Sequence, residues 1–298
     1  MGNGVGRYLP LPIQHLPFPI SHPMSSYRFC RTDDIGLLVD ALNRCWLPHF
    51  PGEDRVTPAA FKRSIRDLQV WCSSCMVAFS SGDPIAVLIG AKRPSGTLIH
   101  KIAVHPDHLR QGHGRHLLTS LSSKLAILGP PRIVAEVPEA FTAACGLFEA
   151  CGYIPEAVLT DYILEPGRTS QMSAQAIVIP ATVDDLVANG LLGAGAPATC
   201  WERSVETLMA RKEEIAGFAV ASDERIEAYI LYREDEIVAL RTLVEDGGSR
   251  VSLLLAQRGE PLRLPKVHPA EVPRTLVDAA GFRRAGGHML FATVAQSG

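Results

Sequence analysis

The 298-residue chain lacks any basic run, and its 29 Lys and Arg against 31 Asp and Glu leave a formal charge of −2. A protein that tracks a phosphate backbone needs a positive stripe, so no nucleic-acid partner is expected. It also lacks an uninterrupted apolar run of about eighteen residues, the length that would suggest a membrane span, so no membrane association is expected. Its seven cysteines are odd in number and scattered. They read as reduced thiols of a cytoplasmic protein rather than a disulfide framework. The one close pair, WCSSC at 71–75, follows a helical pattern and precedes a strand, whereas a redox motif opens a helix.

Residues 1–24 carry five prolines between Pro10 and Pro23, which would break a signal-peptide helix. Gly6 stands where N-myristoylation wants Ser or Thr. This segment reads as a disordered, Pro-rich tail, with Met24 as an alternative start.

What is present is a hydrophobic content of 47%, enough for a substantial core. Ile35, Leu38, Val39 and Leu42 are spaced as an amphipathic helix entered through Thr32 and Asp33. A second helix is expected from Thr57 with Pro58 at its first position. MVAFSSGDPIAVLIGAKR reads as a hairpin turning at Ser81 to Pro84, and TLIHKIAVH as a further strand. A glycine loop then leads into a helix with Leu118, Leu121, Leu125 and Leu128 on one face. The strand RIVAEV, the helix AFTAACGLFEAC and a closing strand near AVLTDYILE follow.

The pattern repeats. LFEACGY (147–153) returns as LVDAAGF (276–282), 129 residues later, and each copy precedes a strand. Fainter echoes link RTDDIGLLV to ATVDDLVAN and LIHKIAVH to EIVALRTLVE. The expected organisation is a tail over 1–24, a first domain over 25–165, a linker over 166–175 and a second, related domain over 176–298.

The stretch IHKIAVHPDHLRQGHGRHLL contains His100, His105, His108, His113 and His116. Pro106 and the glycines deny these histidines one continuous helical face, and no cysteine pair accompanies them, so no metal is expected. A strand feeding a Gly-rich turn that opens a helix instead presents unpaired N–H groups at a positive helix end, suited to phosphate. Gly112 and Gly114 clear the approach, and Arg110 and Arg115 add charge. In the second copy EDGGS replaces this long loop.

Val104, His105, Pro106, Gly112, Gly114, Leu117 and Leu118 resemble the acyl-CoA loop of the GNAT superfamily of N-acetyltransferases. FTAACGLFEACGY resembles that family's later helix, which ends in Gly-aromatic. The resemblance covers about residues 27–165. It implies an α+β fold, a mixed and mostly antiparallel sheet flanked by helices, here in two tandem copies with the second degenerate. It also implies an acetyl-CoA-dependent transfer to a primary amine of a small molecule or peptide.

On this resemblance acetyl-CoA is held by Ile102, Ala103 and Val104 of the strand, by Leu109, Arg110, Gln111, Gly112, His113, Gly114 and Arg115 of the loop, and by Phe148. Leu109 stands where the family usually has Arg or Gln, and Phe148 where many members carry an acidic tyrosine. A CoA-binding sensor or scaffold that does no transfer therefore stays as the alternative.

An amine of pKa about 10 is only about 0.1% neutral at pH 7, a handicap near 4 kcal/mol, so a base is useful. His100 on the thioester strand and Glu136 on RIVAEV are the candidates. Strand alternation places His100 on the face of Ile102 and Lys101 on the other. The resemblance puts the acceptor near NRCWLPHFPGEDRV, where Trp46, His49 and Phe50 form an aromatic wall and Glu53 or Asp54 attracts a cation.

Overall fold

A computed structural model describes residues 25–130, 132–165, 177–193, 199–259 and 261–293. The expected tail (1–24) and linker (166–175) lie outside the described residues. The first half runs β1 (Ser26–Phe29), α1 (Ile35–Cys45), α2 (Pro58–Leu68), β2 (Met76–Ser80), β3 (Asp83–Arg93), β4 (Gly96–Val104), α3 (His113–Leu128), β5 (Ile133–Pro138), α4 (Thr142–Ala150) and β6 (Tyr153–Leu164). The second half repeats that order with β7 (Ile177–Pro180), α5 (Val183–Ala188), α6 (Val205–Ala210), β8 (Ala216–Ala221), β9 (Ile226–Arg233), β10 (Glu236–Thr242), α7 (Ser249–Ala256), β11 (Leu262–Val267), α8 (Arg274–Ala279) and β12 (Arg283–Thr293).

Local chemistry explains the boundaries. Thr57 caps α2 through its hydroxyl, which accepts from Ala60 N at 3.1 Å, and Pro58 fills a position where no N–H is needed. Helix α1 departs from the expected Thr32/Asp33 cap. Its N-cap is Asp34, whose carboxylate instead takes both guanidinium nitrogens of Arg28, at 2.7 and 2.8 Å, and the N–H of Arg31. The β2–β3 turn is tighter than expected. Ser81 and Gly82 alone make it, both at positive φ, while Asp83 and Pro84 already pair with Ser80 and Phe79.

The twelve strands among the described residues form one sheet in the order β1-β2-β3-β4-β5-β12-β6-β11-β10-β9-β8-β7. Among the described residues only β4–β5 and β10–β11 pair in parallel, so the sheet is mixed and mostly antiparallel. The two halves exchange their last strands. β12 enters between β5 and β6 of the first half, and β6 lies between β12 and β11 of the second. Each half therefore borrows a strand from the other, and each core includes borrowed residues. Phe291 of β12 is fully buried in the first half's core with Leu117, Leu118 and Phe148. Tyr162 and Leu164 of β6 pack on the second half's core.

Candidate active site

The loop between β4 and α3 has the geometry of an anion cradle. Arg110 and Gly112 both hold left-handed backbone, with φ of 61° and 87°. His116 N to Gly112 O, 3.0 Å, is the first bond of helix α3. The amides of His113, Gly114 and Arg115 are thus the orphan donors of a sixteen-residue helix. A Cβ on Gly114 would stand 3.0 Å from Leu147 Cδ2, so glycine lets α3 pack against α4 while keeping the cradle open. Leu109, Arg110, Gln111 and Arg115 are exposed around it.

The loop histidines have separate partners. His105 Nδ1 accepts from Asp107 N, and the His116 ring lies tilted against Tyr27 with ring centroids 3.8 Å apart. His113 is 5% exposed, and its Nδ1 lies 2.6 Å from the Tyr27 hydroxyl. Burial, with His108 and His116 nearby, holds the His113 pKa down. Its side chain is therefore a support beneath the cradle, and only its backbone N–H is available to a ligand. Phe148 is likewise displaced from its expected role. It is 1% exposed, stacked on Phe291 and edge-on to Tyr153, so it is core rather than a CoA contact.

Beside the cradle the sheet opens. β4 and β5 pair only from Thr97↔Ile133 to Ile99↔Ala135. Beyond that point Glu136, Val137 and Pro138 pair with β12, and among the described residues no strand covers the edge of β4 from His100 onward on that side. An extended thioester arm fits such a wedge, with Ile102, Ala103 and Val104 along one wall. His49 already contacts this edge: its Nε2 lies 2.8 Å from Val104 O, and because a carbonyl only accepts, that nitrogen carries the proton.

The wedge begins at a bulge. Ile89 faces Lys101 while Gly90 faces Ile99, which makes His100 the extra residue. The bulge overturns the alternation expected for this strand. His100 and Lys101 both line one cavity of about 130 Å³ between β4 and helices α1 and α2, along with Leu42, Val56, Phe61 and Ile89. Ile102 and Val104 pack on the opposite face, toward α3 and α4. Burial pushes the His100 pKa down to about 4, against the attraction of Glu202.

The aromatic wall forms, but its cation is internal. Trp46 and Phe50 stack with centroids 4.2 Å apart, and Phe141 meets Phe50 edge-on. Glu53 Oε2 accepts from Trp46 Nε1 at 2.9 Å and from the Lys101 ammonium at 3.4 Å. That ammonium also sits 4.0 Å from the Trp46 ring. The box expected to attract an acceptor cation thus holds Lys101, whose pKa burial lowers against the pull of Glu53. Asp54 is exposed and outside the box.

Glu136 is tied to the second half. One carboxylate oxygen accepts from Trp201 N at 2.7 Å, and the other faces Lys266 Nζ at 3.1 Å. Lys266 lies at a β11 irregularity with φ of 51° and also meets Glu202, at 3.4 Å. Burial pulls the Lys266 pKa down, but Glu136 and Glu202 outweigh it and hold the ammonium above the ordinary lysine range. Trp201 drives its ring into the first half's core and donates Nε1 to Leu68 O at 2.9 Å. Buried Arg93 stacks on it at 4.0 Å and donates to Ser204 and Thr207, each at 2.6 Å. Sequence reasoning missed Glu202, Lys266 and Trp201, because nothing local marks a residue whose partner lies in the other copy.

The second half fills its own equivalents of both ligand-holding features. Gly248 begins α7 at φ 86°, matching Gly112, but Asp246 Oδ1 accepts from Gly248 N at 2.9 Å and Oδ2 from Arg250 N at 2.8 Å. Despite burial, those N–H donors hold the Asp246 pKa low. Parallel pairing of β10 with β11 stops at Glu236↔Arg263, and the buried Arg203 guanidinium enters there. It lies 3.3 Å from Pro265 O and 3.5 Å from Ile237 O, and is also bonded to Glu271. An internal carboxylate occupies the anion cradle, and an internal cation occupies the wedge.

Comparison with known proteins agrees with this architecture. Residues 38–153 match the acetyltransferase (GNAT) family. Over 94% of this chain and 92% of the other, the fold is similar to a putative acetyltransferase of Pyrococcus horikoshii, with 16% identity and a TM-score of 0.61. A GCN5-related N-acetyltransferase from Sphaerobacter thermophilus is similar over 90% and 95% of the two chains, at 13% identity and a TM-score of 0.62. A tandem GNAT protein from the clavulanic acid biosynthesis pathway is similar over 92% of this chain and all of that one, at 14% identity and a TM-score of 0.58. With cradle, wedge and strand order in place, residues 38–153 form a GNAT acetyltransferase domain, and the described chain has the GNAT fold in two tandem copies.

Proposed function

We propose that the chain is an acetyl-CoA-dependent N-acetyltransferase whose working site lies in the first copy and whose acceptor is a compact primary amine. The observation that carries this reading is the junction of cradle and wedge: orphan N–H groups at Gly112 to Arg115 open beside the free edge of β4. The pyrophosphate of acetyl-CoA rests on those N–H groups with Arg110 and Arg115 alongside. Its thioester arm runs along Ile102 to Val104, and a β4 N–H polarises the carbonyl.

His100 is the base in this reading, reached from the cavity that it lines. The amine nitrogen attacks the thioester carbonyl, a C–N bond forms, the C–S bond breaks, and the amine proton passes to the imidazole. The thiolate leaves as CoA and takes up a proton. His100 is neutral at pH 7 and able to accept, and nearby Lys101 and Lys266 also favour the neutral amine over its ammonium. Glu136 is assigned to holding the halves together, since both its oxygens are engaged.

A panel of primary amines assayed by thiol release tests the proposal. Turnover of an amine well above acetyl-CoA hydrolysis, lost in His100→Ala, is the expected result. The second reading, a sensor that binds CoA without transfer, draws on the absence of an acidic hydroxyl at Phe148. Tight acetyl-CoA binding with no turnover across the panel would favour it.

A further inference from the structure

The base assigned to the first copy sits in an electrostatic setting made largely by the second. Around His100 stand Lys101 on its own strand, Lys266 on β11, Arg211 just after α6, and Glu202 on the short turn Trp201–Arg203. Three of these four groups come from the second half, and three of the four are cations. All three cations already have other partners: Lys101 is held by Glu53 and Trp46, Arg211 Nε lies 3.3 Å from Asp67 Oδ2, and Lys266 Nζ lies 3.1 Å from Glu136 Oε2. Glu202 is the carboxylate that attracts His100 directly.

We propose that Glu202 is a positioning residue for transfer, contributed by the second copy as the counter-charge to the imidazolium formed when His100 takes the proton of the acceptor amine. This rests on the proposed function above. The geometry places Glu202 by anchoring its turn on both sides. Trp201 N is bonded to Glu136 on β5, the Trp201 ring is fixed in the first half's core, and Arg203 is bonded to Glu271 and Pro265. Ile99 pairs with Ala135, so His100 and Glu136 follow side by side where β4 and β5 part, and Lys266 bridges Glu136 to Glu202.

The physical need is specific. Accepting a proton turns a neutral buried ring into a cation among Lys101, Lys266 and Arg211, and each of these raises the cost. A nearby carboxylate offsets that cost when the proton moves, while leaving the neutral resting state intact. The second copy, with its own cradle and wedge filled, would then keep a role as a structural part of the first copy's chemistry.

The test uses the full chain with Glu202→Gln, Glu202→Asp, His100→Ala and the double variant His100→Ala/Glu202→Gln. E202Q should lower kcat at least tenfold with the KM for acetyl-CoA and the melting temperature little changed, and E202D should recover part of the loss. The double variant should be no slower than H100A alone. Independently of turnover, NMR titration of the unliganded protein should show the His100 pKa moving further down in E202Q. An unchanged kcat and His100 titration in E202Q, or losses that multiply in the double variant, would overturn the inference. If H100A itself keeps full activity, the base assignment of the proposed function fails, and this inference fails with it. Loss of activity in H100A without loss in E202Q would refute the role of Glu202 alone.

Discussion

Phe148 on α4 of the first half stacks on Phe291 of the chain's last strand, with ring centroids 5.6 Å apart and planes 13° from parallel. The pair joins residues 143 positions apart and sits in the core beneath the proposed acetyl-CoA cradle, with Leu117 and Leu118 of α3 in the same cluster. Strand exchange thus ties the proposed working site to the far end of the sequence.

Truncating the chain after residue 165 should therefore not release a working acetyltransferase. The fragment keeps its cradle residues, but loses β12 and bares the edges of β5 and β6. Expression of the fragment should give aggregated or poorly ordered protein by NMR. In the full chain, Phe291→Ala should cost about 3–5 kcal/mol in urea unfolding, as for other fully buried aromatics. A folded, active monomer from residues 25–165 would contradict the exchange.

Gly112→Glu should separate binding from folding. A Cβ at this glycine meets nothing within 4 Å, so the fold bears only the left-handed backbone, a cost of about 1–2 kcal/mol. The added carboxylate points a negative charge into an anion site. Acetyl-CoA affinity should fall at least a hundredfold in calorimetry, with near-native circular dichroism and a small drop in melting temperature.

Stability should rise between pH 4 and 6.5 through His100. Its folded pKa of about 4 lies below the ordinary imidazole value of 6.5, so the unfolded chain binds more protons in that window. The contribution is complete above pH 6.5 and is lost as pH falls toward 4. Urea unfolding at pH 7.5 and 4.5 should show a smaller difference for His100→Gln than for the wild type. An equal difference would remove His100 from the acid response.

Much of this was legible in residue patterns. The Thr57–Pro58 helix start, the Gly112 turn and the recurrence of LFEACGY as LVDAAGF each follow from local chemistry, and each has its place in the fold. Alternation puts Lys101 on the wrong face of β4 because it assumes an unbroken ladder. A one-residue bulge at His100 moved Lys101 to the same face. Residue type alone does not set the roles of Phe148, His113 and the Trp46–Glu53 box, which packing against Phe291, Tyr27 and Lys101 decides. The exchanged strands and the Glu136–Lys266–Glu202 cluster join residues far apart in sequence, a relationship that no local periodicity encodes.

The central claim is that acetyl-CoA has one place on this chain, in the first copy, because Asp246 and Arg203 occupy the corresponding features of the second. Isothermal titration of the full-length protein with acetyl-CoA measures this directly. The expected result is one site per chain, lost in Gly112→Glu. Two sites per chain, or one site that survives Gly112→Glu, would contradict it.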